Sequence, residues 1–143
     1  MILISHRGNL NGRTNQENKP DYIKKALYTG FDVEVDVWYV NNEYYLGHDS
    51  PQYKIEESFL QNANLWCHAK NIQALYQMKL NNSIHCFYHE SDKVTLTSKG
   101  YIWTYPNNEL TDKSICVLPE KNNEIPKKVL GICSDYIVNY ENK

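Results

Sequence analysis

The chain has 143 residues, 41% of them hydrophobic and 22% charged, with a net charge of −2. That length and balance predict one globular domain over 1–143, able to bury about two-thirds of its unfolded surface, and the slight acidity argues against a broad nucleic-acid surface while leaving room for a small basic pocket for one phosphate. No run of 18 apolar residues occurs and the apolar start is too short for a signal-peptide core, so no membrane span is expected and a cytoplasmic protein follows.

In chain order, Ile2 to Ser5 reads as a short buried strand leading to His6-Arg7-Gly8, and Asn9 to Gln16 as a polar loop. A helix then starts at Pro20, with Asp21 at its positive end, Ile23, Ala26 and Leu27 on one face, and Gly30 as C-terminal cap. Phe31 to Val40 is the clearest strand. Val33, Val35 and Val37 point to one face, and Asp32, Glu34 and Asp36 to the other. Asn41-Asn42 makes a turn into a return strand, Glu43 to Leu46, which ends beside His48-Asp49.

Leu65 to Lys70 forms the next strand, with Trp66, His68 and Lys70 sharing a side. Asn71 caps a helix running to about Leu80, with Ile72, Leu75 and Tyr76 expected inside. Ile84 to Tyr88, Tyr101 to Tyr105, Ile115 to Leu118 and Ile132 to Val138 supply further strands, separated by links too short for long helices. The stretch 121–128 reads as a solvated loop. Cys67, Cys86, Cys116 and Cys133 fall in strands without any Cys-x-x-Cys spacing and read as buried free thiols.

Strands alternating with helices predict βαβ units and a mainly parallel sheet. Ionisable residues collect at strand ends, as at the mouth of a (β/α) barrel, yet a full barrel usually takes about 250 residues. The expected class is therefore α/β, a reduced TIM-barrel-like (β/α) barrel with several helices shortened or replaced by loops; an open sheet is the other solution. Missing helical cover would expose apolar flank and favour a homodimer.

Glu34 and Asp36, two apart on a strand, suit a hard divalent cation such as Mg²⁺ or Ca²⁺, although a solvated polar strand face has the same pattern. His6 and His48 can carry protons near neutral pH, and Arg7 offers a planar fork for phosphate oxygens; each also fits a satisfied structural pair. His89, closing the strand that contains His85, could line the mouth, while His85 sits deeper and reads as structural. Trp103 reads as core.

Taken together, His6-Arg7-Gly8, Glu17-Asn18 before a helix, Gly30, Glu34-Val-Asp36-Val and Gly47-His48-Asp49 resemble the glycerophosphodiester phosphodiesterase family, of the phosphatidylinositol-phospholipase-C-like TIM barrels. The resemblance covers 4–49 and extends through Lys70; Gly131-Ile-Cys-Ser-Asp135 is similar to the family's last strand. It implies a metal-dependent phosphodiesterase acting on a small phosphodiester, with His6 and His48 as the acid/base pair. Arg7 and Lys70 would bind phosphate, Glu34 and Asp36 would hold the metal, and Glu17 would support the metal site or Arg7. One position departs from the pattern: His68 stands where the family places a third acidic ligand. An imidazole there moves preference towards Mn²⁺ or Zn²⁺, or else contributes no ligand. The alternative to an enzyme is a non-catalytic module that binds a phosphate ligand on a degenerate barrel.

Overall fold

The computed structural model describes residues 1–122 and 128–141; most of the 121–128 stretch, expected to be a solvated loop, lies outside them. In chain order it contains β1 (Ile2–His6), α1 (Pro20–Tyr28), β2 (Asp32–Val40), β3 (Glu43–Leu46), β4 (Tyr53–Ile55), α2 (Glu57–Leu60), β5 (Leu65–Ala69) and α3 (Ile72–Lys79). Then follow β6 (Cys86–Tyr88), β7 (Val94–Leu96), β8 (Ile102–Thr104), β9 (Ser114–Val117) and β10 (Gly131–Ser134), with 3-10 turns at Pro119–Lys121 and Ile137–Tyr140. Among the described residues no helix is long and apolar enough to cross a membrane.

The strands form one curled sheet in a mixed α/β architecture. Strands β6, β5, β2, β1, β10, β9 and β8 run parallel to their neighbours in that order. The hairpin β3–β4 extends antiparallel from the far half of β2, and β7 returns antiparallel along β8. The curl brings the ends of the sheet together: Ser98 N–H donates to Cys86 O at 2.8 Å, and the Thr95 hydroxyl to Tyr88 O at 3.0 Å.

Local chemistry explains the early elements. Pro20 occupies the first turn of α1, where its missing N–H leaves no bond unmade. The helix closes with Gly30 N–H to Leu27 O at 3.0 Å and Phe31 N–H to Ala26 O at 3.4 Å, the paired bonds of a Schellman ending. Asn71 does two jobs: its Oδ1 caps α3 through Ala74 N–H at 3.0 Å, and its amide exchanges bonds with the Tyr39 backbone on β2.

Three apolar clusters fill the fold. Val33, Val35 and Val37 pack with Ile23, Ala74 and Met78 between the sheet and α1 and α3. Fully buried, each valine contributes roughly 1.5–3 kcal/mol. Ile4, Trp66, Phe87, Trp103, Ile115 and Cys133 fill the concave side. Phe31, Cys116, Ile132 and Ile137 cover the opposite flank, where the 3-10 turn and loops replace helices. All four cysteines are buried and free.

Two expectations change. In α3 Ala74 and Met78 are buried and Leu75 packs against the core as expected, whereas Ile72 and Tyr76 are 60% and 62% exposed. The Asn71 cap fixes the helix phase, and a small alanine lets the axis approach β2 closely. The strand expected over 132–138 stops at Ser134; the chain then turns so that Ile137 can cover the flank. Short β4, α2 and β7 had no separate sequence signal.

Candidate metal and phosphate site

Beyond β1 the backbone turns sharply, with Arg7 at φ +56° and Gly8 at +89°. A Cβ on Gly8 would lie 2.7 Å from the Tyr22 ring, so glycine is needed. The left-handed Arg7 costs of order 1–3 kcal/mol. It is held by Arg7 N–H to Glu34 O at 3.0 Å and Asn18 N–H to Arg7 O at 3.1 Å. The turn throws the guanidinium inward, Nε lying 2.9 Å from Asp36 Oδ2 and Nη1 3.4 Å from Glu17 Oε2.

Alternation along β2 sends Glu34 and Asp36 to the concave side, but they do not meet bulk water: they are 2% and 0% exposed. Asn18 clamps Asp36, donating to Oδ2 at 2.8 Å and accepting the Asp36 N–H at 2.9 Å. Lys70 Nζ stands 3.8 Å from Asp36 Oδ1. Burial would raise the Asp36 pKa, yet the adjacent His68 ring and the charges of Arg7 and Lys70 outweigh it and hold this carboxyl far below the usual range.

His68 completes the cluster. Its Nε2 contacts His89 O at 3.2 Å, and a carbonyl can only accept, so Nε2 bears hydrogen. Nδ1 then faces Asp36 Oδ1 at 3.3 Å and Glu34 Oε1 at 3.6 Å. Glu34 Oε2 and Asp36 Oδ1 are buried without a hydrogen-bond partner. One ligand atom from each of the three side chains lies within 4.8 Å of the others. Three acceptors turned on one another repel unless something positive lies between them. A proton on Nδ1 is one solution: burial works against it, but the two carboxylates push the His68 pKa up to about 9. A divalent cation is the other, and an imidazole whose second nitrogen donates to a backbone carbonyl is the usual form of a histidine ligand. Orphaned oxygens and donor set both fit a metal.

His6 lies beside this cluster. Its Nδ1 is 2.7 Å from Asp135 Oδ1, so Nδ1–H donates, and in the neutral ring the lone pair falls on Nε2, 3.8 Å from Glu34 Oε2. Asp135 is braced by Asn9 Nδ2 at 2.8 Å and by its own N–H to Glu120 Oε1 at 3.0 Å. Burial alone would raise the Asp135 pKa; the His6 and Asn9 hydrogen bonds bring it below the ordinary carboxylate value. Glu17 gathers Arg7, Arg13 and Asn9 around one carboxylate. It therefore meets the Arg7 side chain rather than the acid cluster.

His48 reaches the cleft from the loop between β3 and β4. Gly47, at φ +153°, lets it do so: a Cβ there would stand 2.0 Å from Ser50 O. Gly47 is pinned by its N–H to Asp36 O at 3.1 Å and by Trp38 Nε1 to its own O at 2.7 Å. His48 Nδ1 pairs with Asp49 Oδ1 at 2.7 Å, in the open. His89 stacks on Tyr105 with ring centroids 3.5 Å apart, and burial, aided by His68 and Lys70, pulls its pKa down to about 4. A cleft of about 490 Å³ is lined by His6, Arg7, Glu34, His48, His68, Lys70 and His89, with Asp36 beneath its surface. His85 lies elsewhere, bonded to Thr97 at 2.8 Å in a cavity with Asp32, Trp66 and Lys99.

The structure thus brings the sequence-derived candidates together, and adds Asp135, Asn9, Asn18 and Glu120. Asn9 and Asn18 read in sequence as turn formers, and only the fold shows their amides gripping carboxylates. Asp135 had a signal, the resemblance of its strand ending, but no role. The chain matches no family model, no curated protein and no solved structure.

Proposed function

We propose that this chain is a metal-dependent phosphodiesterase on a reduced (β/α) barrel, acting on a small phosphodiester as its resemblance to glycerophosphodiester phosphodiesterases implies. One observation carries the reading: Glu34 and Asp36 each keep a buried oxygen without a hydrogen-bond partner, in a cluster with His68 whose ligand atoms lie within 4.8 Å of one another, beside the Nε2 of His6. A divalent ion held there would act as a Lewis acid on a non-bridging phosphate oxygen. The carboxylates suit Mg²⁺ or Ca²⁺, and His68 shifts preference towards Mn²⁺ or Zn²⁺.

The chain's own residues supply the rest. Arg7, tied through Nε and Nη1, keeps Nη2 for a phosphate oxygen, and Lys70 adds a second positive charge. His6 Nε2 takes the proton of a substrate hydroxyl neighbouring the phosphate. That oxygen bonds to phosphorus as the bond from phosphorus to the departing oxygen breaks, and His48 gives the departing alkoxide a proton. An alcohol and a cyclic phosphate result; water can open the ring with the two imidazoles exchanging roles.

The test is turnover of a glycerophosphodiester and of bis(p-nitrophenyl) phosphate across Mg²⁺, Ca²⁺, Mn²⁺ and Zn²⁺, with metal binding measured by calorimetry. Turnover that needs metal, with binding lost in Glu34→Gln, is expected. Full turnover in chelator, or unchanged metal binding in the variant, would overturn the proposal.

A second reading has one observation in its favour. With its pKa at about 9, His68 is an imidazolium at neutral pH and compensates Asp36 and Glu34 without a metal. A non-catalytic module binding a phosphate ligand would then be the function. Tight phosphate binding in chelator without turnover under any metal selects it.

A further inference from the structure

The rim of the cleft carries a cation that the chemistry above does not use. After β9, Leu118 adopts φ +47°, a left-handed conformation unfavourable for a bulky residue. The fold holds it there through Leu118 N–H to Cys133 O at 2.7 Å and Lys121 N–H to Leu118 O at 2.8 Å. Glu120 anchors the same turn to the end of β10, accepting from Ser134 Oγ at 2.9 Å and Asp135 N at 3.0 Å. From the other side Asn107 donates to Lys121 O at 3.2 Å. The product of this constrained turn is Lys121, which lines the cleft.

The charges around the cleft are unequally matched. Arg7 is paired with Asp36 and Glu17, Arg13 with Glu17, and Lys70 lies near Asp36. Asp135 is engaged by His6, and Glu90 accepts from the Tyr88 hydroxyl at 2.6 Å. Lys121 forms no ion pair among the described residues. Trp103, Tyr105, Val117 and Leu118 also line the cleft and give it an apolar wall. At about 490 Å³ the space exceeds the needs of one phosphate and falls in the range of small-molecule sites.

We infer that Lys121 forms a second anion subsite, so that the preferred substrate is a phosphodiester whose retained alcohol carries a further anionic group, a carboxylate or a phosphate. The inference rests on the phosphodiesterase reading for its reaction but not for its binding site. The apolar wall would take the carbon skeleton between the two anions, while Arg7 and Lys70 receive the scissile phosphate.

The experiment compares three p-nitrophenyl diesters that share a neighbouring hydroxyl: of glycerol 3-phosphate, of 3-phosphoglycerate, and of glycerol 1,3-bisphosphate. They differ in whether the far end is neutral, a carboxylate or a phosphate. The expected result is a kcat/KM about five- to tenfold higher for one or both doubly charged diesters than for the neutral-ended one. Lys121→Gln should bring that ratio close to one and Lys121→Arg should retain it. The diester with the larger ratio identifies the second anion. Equal kcat/KM for all three in the unaltered protein, or a ratio unmoved in Lys121→Gln, would overturn the subsite. Calorimetric binding of the same diesters separates this from the parent reading. If none is turned over, tighter binding of a doubly charged diester that Lys121→Gln abolishes keeps the subsite and removes the catalysis; equal binding removes the subsite as well.

Discussion

Two histidine–aspartate couples serve the cleft at the same 2.7 Å separation, in opposite settings. His6 and Asp135 lie 129 residues apart, are both largely buried, and are braced by Asn9. His48 and Asp49 are neighbours in sequence; their side chains are 42% and 94% exposed. The first couple exists only when β1 and β10 pair, so its geometry belongs to the whole fold. The second is local and surrounded by water, where a charge pair is screened and loses orientation readily. Equal distances therefore do not mean equal hold on an imidazole: what separates the couples is burial and the number of groups fixing the carboxylate.

The largest way to break this comparison is to remove the buried imidazole. His6→Ala should lower turnover by about 10²–10⁴-fold, the usual share of a positioned general base, while circular dichroism and melting temperature show the fold intact. A loss below tenfold would assign the proton transfer elsewhere. Asp135→Asn comes next and asks how the ring is held. The asparagine amide can donate to His6 Nδ1 and so favour the tautomer with hydrogen on Nε2, which has no lone pair for the substrate. A loss approaching that of His6→Ala is expected, since the wrong tautomer is costly in other carboxylate–histidine couples. Retained activity would mean that Asp135 only packs.

The contrast also marks what could be read from sequence. Both members of the exposed couple are adjacent, so Gly47-His48-Asp49 was legible at once. The acid face of β2 was legible as alternation, but its burial was not: His6, Arg7, Asn18, His68 and Lys70, from separate parts of the chain, close over Glu34 and Asp36 only in the folded molecule. For the same reason Asp135 stayed without a role until Asn9 and His6 were seen to converge on it. The inward set of α3 failed on one detail, the Asn71 bonds to β2 that fix the helix phase and leave Ile72 and Tyr76 outside. Three-residue strands such as β4 and β7 are too short for a period of two to register.

A third histidine sharpens the comparison. His85 is buried against the Thr97 hydroxyl instead of a carboxylate, and burial, with a smaller effect from Lys99, lowers its pKa to about 4. It is neutral in the folded chain, while the unfolded chain protonates near 6.5. The stability linked to this group is fully present above pH 6.5 and is lost as the pH falls towards 4, because the unfolded chain takes up the proton first. Between pH 7 and pH 5 the loss is about 2 kcal/mol. Urea unfolding at the two pH values should show it, and His85→Gln should flatten that slope. An identical slope in the variant would place the acid sensitivity on other groups.

The smallest effect should come from the exposed couple. Asp49→Asn removes a charge that water already screens, and exposed ion pairs contribute little. Turnover should change by less than about fivefold, and the difference should vanish in 1 M salt, where charges are screened within about 3 Å. His48→Ala, by contrast, removes the group proposed to protonate the departing alkoxide and should approach the His6→Ala loss. These two variants together separate the ring from its partner. If Asp49→Asn matched Asp135→Asn and the loss persisted at high salt, orientation of His48 would depend on Asp49 despite its exposure, and burial would no longer distinguish the two couples.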